Sequence, residues 1–560
     1  MSDPAPDDGT TASKKKAPKP TVKKAAKHAV PVGPIRVRWT LAELPSSQHK
    51  AGLAGLVLCV RYLERKDGRK GTCSIVDLDA ASLTLEVDRD GMQELFDDIY
   101  AASLEEQERD KPFQNKQKVQ IPPKRTFEKT ITNDKGVAKT KTMYVYDQTV
   151  PAGGLIGDLD AAPSGTQKPW LKLWRDLVWT TLRGVPATRE PYASRAEKKE
   201  MSDGHDAWDE LASKPSRSVE LPSTYYLGAQ ATTAENVSFR DQARMRVLLH
   251  FWPFAVPIYV PSAVDREGKR DFLGYALVMP DIVDLDGFVN DWSKLARGRG
   301  SELQGYVPRE AVVDLPGEAG LDLAVRAMDV IKEREGGVAT RAWLVAADVF
   351  HIEKEGNNVR TRRVARIDLE RTKIDRYAQV RRAYWSHEFR QQRIVNILDG
   401  RPQWWAGFGR LCATMPQEST FSDSKFRHDC RAAFTEVEMT KEQIDQGAKL
   451  EHRIYRMVRS FVSQKIVVKY GEDWKWDRVE ATGRTKEYKE KREKIAREAF
   501  LAVRSRTGAD FVSYFTSSIC SVPQFLDEPG FVEVARALHS ESEVEHVRSL
   551  TLLALSANAG

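Results

Sequence analysis

The sequence lacks several features, and each absence excludes a class of protein. No run of eighteen apolar residues occurs, so no segment is long enough to cross a bilayer as a helix. The N-terminal segment is rich in Asp, Pro and Lys and has no apolar signal core. We therefore expect a protein that neither spans a membrane nor is secreted, and that works in the cytoplasm.

Cysteine is also scarce, with five residues in a chain of 560. No CxxC pair occurs, and no Cys/His spacing suits a zinc site. Scatter through apolar segments is typical of reduced thiols. We expect no disulfide framework, no metal site and no cofactor. The cysteines are Cys59, Cys73, Cys412, Cys430 and Cys520.

The excess of positive charge is small overall but concentrated in one stretch. The chain has 87 Lys and Arg against 80 Asp and Glu, a net charge of +7. Residues 360–393 hold eleven basic and four acidic residues, a surplus as large as that of the whole protein. Aromatic side chains lie between these cations, and bases can stack on such rings. The pattern predicts a nucleic-acid surface. The aromatic residues are Tyr377, Tyr384, Trp385 and Phe389.

This basic stretch reads as a hairpin followed by a helix. Residues 341–354 and 359–369 alternate as two strands around an Asn-rich turn, and residues 374–398 follow a helical period. On that helix three arginines fall within about 80° of one another, opposite the apolar face. We expect the stretch to contact phosphates through Arg360, Arg362, Arg363, Arg382, Arg390 and Arg393. The alternative is a solvated surface neutralised by nearby acids.

A second basic hairpin is predicted between residues 124 and 147, around an Asn-Asp-Lys-Gly turn. Lys129 and Lys141 on this ribbon are candidates for gripping duplex DNA. An equally good interpretation is that the lysines prevent edge-to-edge aggregation of an exposed hairpin.

The chain as a whole predicts an α+β multi-domain fold. From residue 34 the order strand, helix, two strands, helix is typical of a ferredoxin-like or RNA-recognition fold, and beyond about residue 413 the strand signals give way to amphipathic helices. We expect a disordered Lys-rich tail (1–33), an N-terminal α+β domain (34–186), a linker or loop (187–222), a central α+β domain (223–412) and an all-α helical bundle (413–560).

No catalytic pattern is complete. Asp348, Glu353 and Lys354 have the wrong spacing for a restriction-type nuclease, and the His-Asp pairs lack the further ligands of a phosphohydrolase. His250 and His387 lie among aromatic residues, where a structural histidine is the more common case. We expect a binding protein without chemistry of its own.

Six blocks, in their order along the chain, resemble the MYXAN-type large subunit of type I CRISPR Cascade. The similarity spans nearly everything after residue 34. The blocks are LAELPSSQHKAGLAGL (41–56), KPWLKLWRDLVW (168–179), YYLGAQATTAENVSF (225–239), LLHFWPFAVPIYVP (248–261), RRAYWSHEFRQQRIVNILDG (381–400) and AFLAVRSRTGADFVSYFTSSICSVPQF (499–525).

The resemblance implies a crRNA-guided surveillance complex. Its partners would be crRNA, target double-stranded DNA, Cascade backbone and small subunits, and a helicase-nuclease that the large subunit helps to recruit. The large subunit would recognise the protospacer-adjacent motif and stabilise the R-loop, and the C-terminal bundle would resemble a small subunit. Gln230 is the first candidate for reading a base edge and Asn236 the second, although either amide could instead cap a helix. The alternative function is a stand-alone RNA-binding or RNA-processing protein with ferredoxin-like modules.

Overall fold

The computed structural model describes most of the chain between residues 33 and 559. The described residues are 33–114, 118–132, 138–156, 169–180, 189–213, 215–221, 227, 240–265, 268–297, 302–304, 307–337, 342–355, 358–437, 449–521 and 528–559.

The described strands all lie in the first two-thirds of the chain, where they are mixed with helices, and the regular elements described after them are helices. The strands are β1 (Ile35–Thr40), β2 (Cys73–Leu78), β3 (Ser82–Val87), β4 (Ala102–Arg109), β5 (Arg125–Thr132), β6 (Ala138–Pro151), β7 (Ser218–Glu220), β8 (Arg240–Gln242), β9 (Ile258–Val264), β10 (Arg270–Phe272), β11 (Tyr275–Ile282), β12 (Glu302–Gln304), β13 (Val307–Pro308), β14 (Val312–Val313), β15 (Leu344–Glu355) and β16 (Asn358–Asp368). The helices are α1 (Ser47–Glu64), α2 (Arg89–Ile99), α3 (Pro169–Thr180), α4 (Arg189–Ala196), α5 (Ser202–Ser213), α6 (Ala243–Leu248), α7 (Leu285–Arg297), α8 (Glu318–Arg334), α9 (Arg371–Ala383), α10 (His387–Leu398), α11 (Phe408–Thr414), α12 (Ser424–Ala432), α13 (Leu450–Tyr470), α14 (Trp476–Thr482), α15 (Thr485–Arg504), α16 (Gly508–Tyr514), α17 (Glu528–His539) and α18 (Val544–Ala557).

The N-terminal sheet has the strand order of a split β-α-β unit. Its antiparallel order is β1-β3-β2, with α1 after β1 and α2 after β3, as in ferredoxin-like folds. β4 does not complete this sheet, because it pairs with β6 in a separate ribbon of order β4-β6-β5. The mixed α/β fold class is thus confirmed, and the second hairpin is confirmed as part of a three-stranded ribbon.

Glycines in α1 allow the helix to lie against the backbone of the next segment. A Cβ on Gly52 would stand 2.3 Å from the carbonyl oxygen of Leu248, and one on Gly55 would stand 2.0 Å from that of Phe251. Both distances are far below van der Waals contact, so only glycine fits at these two positions. The glycines therefore allow close packing and join α1 to the segment around α6.

The central sheet contains the predicted basic hairpin. Its order is β10-β9-β11-β15-β16, with β14 parallel to β9 at a branch. β15 and β16 pair antiparallel from Ala346 opposite Asp368 to Glu355 opposite Asn358, which confirms the hairpin. Gly320 of α8 faces Ala347 and Ile367, so this helix covers one side of the hairpin. The hairpin is therefore built into the core at its base.

The C-terminal part is helical, as predicted, and α18 lies at its centre. Eleven consecutive residues of α18, Val547–Ala557, are buried. α11, α12, α13, α15 and α17 all pack against it. A helix that is buried on every side is the core of its bundle rather than a surface helix.

Two expectations about local structure were wrong. Residues 187–222 were predicted as a loop, yet α4 and α5 lie there and bury Tyr192, Trp208 and Leu211. These few buried apolar residues lie among many charged residues, so the helical period of apolar residues is weak in this part of the sequence. The single helix predicted over 374–398 is instead two helices, because α10 begins anew after Ser386, whose hydroxyl accepts a hydrogen bond from the backbone N–H of Phe389.

Candidate nucleic-acid interface

One face of the β4-β6-β5 ribbon carries the two lysines proposed from the sequence. Lys129 and Lys141 lie opposite each other in the β5–β6 register. The Lys129 Nζ lies 2.7 Å from Glu108 Oε2, and the Lys141 Nζ lies 3.7 Å from Asp110 Oδ2. Further ion pairs on this face join Lys124 to Glu106 and Asp147, and Arg125 to Glu106.

Positive and negative charges balance in this set of paired side chains, with four cations facing four carboxylates. All eight side chains are between 40% and 62% exposed. Pairs this exposed contribute only about 0–1 kcal/mol each. The ribbon is therefore not a ready-made cationic surface, but its cations can change partners at little cost.

The base of the β15–β16 hairpin is held in an ionic network. Arg366 lies opposite Asp348 and has its Nη2 2.5 Å from Asp281 Oδ2. Lys50 reaches the other oxygen of Asp281 at 2.5 Å, and the Ser47 hydroxyl donates to Asp348 at 2.6 Å. These contacts attach the N-terminal end of α1 to the central sheet. Arg366 therefore stabilises this network through its ion pair with Asp281.

Two arginines on α9 and α10 form ion pairs with carboxylates in the protein interior. The Arg381 Nη1 lies 2.9 Å from Glu318 Oε1, which also accepts a 2.9 Å hydrogen bond from the Tyr377 hydroxyl. The Arg390 Nη2 lies 2.7 Å from Asp314 Oδ2. Both Glu318 and Asp314 are buried. These pairs fix the two helices to the start of α8.

The two buried carboxyl groups have pKa values shifted in opposite directions. Burial opposes ionisation of Asp314, but His387 and Arg390 outweigh it and lower the pKa of Asp314 to about 2. Burial, together with the nearby charge of Asp314, raises the pKa of Glu318 to about 7 against the attraction of Arg381. Asp314 is therefore ionised at physiological pH, whereas Glu318 titrates near neutral pH.

Arg393 does not reach the surface. Its side chain is 1% exposed, and its Nη1 donates to the carbonyl oxygen of Trp404 at 2.9 Å. A guanidinium this deeply buried cannot contact a phosphate without local unfolding, so we leave it out of the interface. The break at Ser386 also places Arg382 on a different helix from Arg390 and Arg393. The expected face of three arginines is not formed.

Exposed cations remain at the ends of the hairpin and of α9. Arg360, Arg363 and Arg382 have exposed side chains. Arg362 is also exposed, with its Nε 2.6 Å from Glu353 Oε2. These four residues are among the cations of the basic stretch that a nucleic acid can reach.

Ion pairing thus accounts for much of the charge surplus in residues 360–393. Among the residues that the structure describes, at least six of the eleven basic residues have a carboxylate partner, and several partners come from segments distant in sequence. The paired residues are Arg362, Arg366, Arg371, Lys373, Arg381 and Arg390. A local charge count could not reveal these partners. The two candidates for reading bases, Gln230 and Asn236, lie outside the described residues.

The C-terminal helices contain an arginine cluster that no local sequence pattern indicates. The Arg492 Nη2 donates to Asn558 Oδ1 at 2.7 Å, and the Arg431 Nη2 donates to the carbonyl oxygen of Ala557 at 3.1 Å. Burial lowers the pKa of Arg492, and repulsion from Arg431 and Arg459 adds to this. The end of α18 attracts cations because its last carbonyls carry partial negative charge. Three different helices contribute the arginines, so no single sequence window contains them.

His250 is a structural residue, as predicted. It is buried, and its ring centroid lies 4.9 Å from that of Phe96 in an edge-on contact. Burial lowers the pKa of His250 to about 3, so the ring is neutral at physiological pH. It has no charge with which to attract a phosphate.

Metal-ligand clusters and membrane-spanning helices are both absent from the residues that the structure describes. There, no group of three or more His, Cys, Asp or Glu side chains is arranged to hold a metal ion. Within the same residues, every helix is too short or too polar to cross a membrane.

Two family models match the chain, and they match consecutive parts of it. The model of the type I-B CRISPR Cas8b N-terminal domain matches residues 72–337, and that of the Cas8b C-terminal domain matches residues 344–558. The chain belongs to the Cas8b family. It is thus a large subunit of a type I-B CRISPR system, in line with the type I large subunit expected from the resemblance, while the MYXAN-type label stays a prediction. No curated protein matches the chain.

The junction between the two Cas8b matches falls within the central sheet. Strands β9, β10, β11 and β14 belong to the first match, and β15 and β16 belong to the second. The basic hairpin is therefore the first element of the Cas8b C-terminal domain, and it joins a sheet begun by the N-terminal one.

Proposed function

We propose that this subunit binds nucleic acid without catalysing a reaction, within a crRNA-guided surveillance complex in the cytoplasm. It would recognise the protospacer-adjacent motif of target DNA, stabilise the R-loop and help recruit a helicase-nuclease. Its partners would be crRNA, target duplex, and the backbone and small subunits. The observation that carries the proposal is the pair of Cas8b matches, which together reach from residue 72 to residue 558.

This role fits a protein in which much of the basic stretch is already paired with carboxylates. In RNA-guided recognition, base pairing supplies most of the sequence specificity, and the protein supplies motif reading and backbone contacts. Each backbone contact needs one exposed cation rather than a continuous basic groove. A large uniform surplus of positive charge is not required.

We assign the backbone contacts to the exposed cations. Arg360, Arg363 and Arg382 are exposed at the hairpin and at the end of α9. Lys129 and Lys141 would grip the duplex by exchanging their exposed carboxylate partners for phosphates. Arg362 would exchange Glu353 in the same way.

We assign motif reading to Gln230, with Asn236 as the second candidate. A side-chain amide presents a donor and an acceptor together and can pair with two atoms of one adenine edge. Such a contact contributes about 1–3 kcal/mol of discrimination between bases.

The test is DNA binding by the reconstituted complex, assembled with one guide and offered matched targets that differ only in the motif. Omission of this subunit should abolish the preference for the cognate motif, and equal binding with and without it would reject the proposed function. Gln230→Ala should weaken cognate binding about 5- to 100-fold and leave scrambled motifs unchanged. Gln391→Ala, on α10, is the matched control. Equal losses on both kinds of target would reject the assignment of Gln230 alone.

A further inference from the structure

Trp385 differs from the other aromatic residues of the basic stretch. Tyr377, Tyr384 and Phe389 are buried in the core, whereas Trp385 is 60% exposed. It lies in the short link between α9 and α10. An indole is costly to leave in water, so an exposed one that is also held in place needs an explanation other than core packing.

Asp429 and His428 hold the indole of Trp385 in place. The backbone N–H groups of Trp385 and Ser386 donate to the Asp429 carboxylate at 2.9 and 2.7 Å, and Asp429 is fully buried. The ring of His428 stacks on the indole with centroids 4.1 Å apart and planes 4° apart. The His428 Nδ1 lies 3.3 Å from Asp429 Oδ1. One carboxylate thus positions both rings.

This stack leaves one aromatic face for a ligand. His428 covers one side of the indole, so the exposed surface of Trp385 is its other face and its edge. An aromatic face fixed before binding loses little conformational entropy when a flat ring stacks on it. Nucleobases stack on such faces, with about 1–3 kcal/mol per base lost when the aromatic residue is replaced by alanine.

The charges near the stack favour an anionic ligand with a planar group. Arg382, three residues before Trp385, and Lys425, three residues before His428, are both exposed. On α12, residues three apart lie on the same side of the helix, so Lys425 flanks the stack. Two acids also lie close by and have partners within the protein: Glu388 accepts from the Ser386 hydroxyl, and Asp423 caps α12.

We propose that the Trp385–His428 pair is a stacking platform for an unpaired nucleobase, with Arg382 and Lys425 beside it for the adjoining phosphates. The inference rests on the proposed function and deepens it by naming where an unpaired base would bind. Base-paired nucleotides present no free face, so the ligand is a single-stranded segment of DNA or RNA.

The test uses the full chain with fluorescent single strands of twenty thymidines or twenty uridines, titrated at several salt concentrations. Trp385→Ala should weaken binding about 5- to 100-fold without changing the salt slope, because stacking releases no counterions. Trp385→Phe should recover part of the loss. Arg382→Ala should reduce the slope by about one unit.

Trp476→Ala is the matched control. Trp476 is also partly exposed, but it packs edge-on against Tyr488 with centroids 5.3 Å apart, so no parallel stack supports it. Its replacement should leave affinity unchanged. A stronger loss with one of the two homopolymers identifies DNA or RNA as the preferred source of the base.

The outcomes separate this inference from the proposed function. If the wild-type chain binds single strands and Trp385→Ala binds equally well, the platform is rejected while the proposed function stands. If the wild-type chain binds no single strand, the platform is also rejected, and motif-dependent duplex binding by the complex then decides the proposed function. A loss in Trp385→Ala that Trp385→Phe does not relieve at all would point to misfolding and would reject stacking.

Discussion

The two basic hairpins of this protein use their charges in different environments. In the β4-β6-β5 ribbon, the partners of Lys129 and Lys141 are exposed carboxylates at the end of β4, Glu108 in the strand and Asp110 just after it. At the β15–β16 hairpin and the helices after it, Arg381 and Arg390 reach carboxylates in the interior. The comparison teaches that a basic sequence can be a surface or part of the core, depending on the burial of its partners.

Burial decides which cations are available to a ligand. An exposed pair contributes about 0–1 kcal/mol, so a phosphate can replace the carboxylate. Breaking a buried pair leaves an uncompensated charge and costs roughly 3–5 kcal/mol. The interior pairs therefore fix α9 and α10, while the ribbon pairs can exchange partners with DNA.

The largest expected effect is the loss of an interior pair. Arg390→Gln should lower the free energy of unfolding by roughly 3–5 kcal/mol, because Asp314 remains buried without its arginine partner. Arg371→Gln, which breaks the exposed pair with Asp375, should cost about 1 kcal/mol or less. Denaturant unfolding of both variants measures this difference, and equal losses would contradict the distinction drawn between the two kinds of pair.

A second prediction concerns the pH dependence of the interior site. Glu318 has its pKa raised to about 7 in the folded chain, whereas the unfolded chain loses this proton near pH 4.5. The folded state binds more protons in this window, so Glu318 makes stability fall as the pH rises from about 4.5 to 7. Glu318→Gln should flatten that part of the pH profile of the thermal midpoint.

Glu333→Gln provides the control, since Glu333 is exposed on the same helix. Its pH profile should match that of the wild type. Asp314, with its pKa at about 2, titrates below the window and does not interfere. An unchanged slope in Glu318→Gln would show that this carboxyl is not the group that titrates.

The smallest expected effects belong to the ribbon. Replacing Lys129 and Lys141 with Ala should reduce the salt slope of duplex binding by up to about two units, one for each lost phosphate contact. Glu108→Gln should instead raise affinity about two- to fivefold, because it removes a competitor for Lys129. Glu105→Gln is the control, since Glu105 lies on the opposite face of β4. A slope that does not change in the double lysine variant would remove the ribbon from the interface.

Both basic hairpins were accessible from the sequence, because local signals specify them. Alternating residues and turn signals predict each pair of strands. The charge partners were not accessible. Arg366 meets Asp281, 85 residues away, and Arg390 meets Asp314, 76 residues away, and only the fold brings them together.

Local sequence signals led to a wrong prediction where a side-chain hydrogen bond interrupts a continuous helical period of apolar residues. The pattern of residues 374–398 continues through Ser386, but a hydroxyl that caps a new helix outweighs it. The sequence predicts that Trp385 lies among cations and could stack on a base. It predicts the same for Tyr377, Tyr384 and Phe389, which are buried. Only the exposed fraction of each side chain distinguishes Trp385 from the three buried residues. The position of Trp385 at the surface depends on contacts with His428 and Asp429 of another helix.

The central position of α18 sets an order of events during synthesis. Helices α11, α12, α13, α15 and α17 are all synthesised before residues 544–557, although each of them packs against that segment. The β1-β3-β2 sheet, in contrast, pairs strands that all lie within residues 35–87. Until α18 arrives, the other helices of the bundle expose the apolar faces that α18 later covers, and in that interval they are open to chaperones and to aggregation.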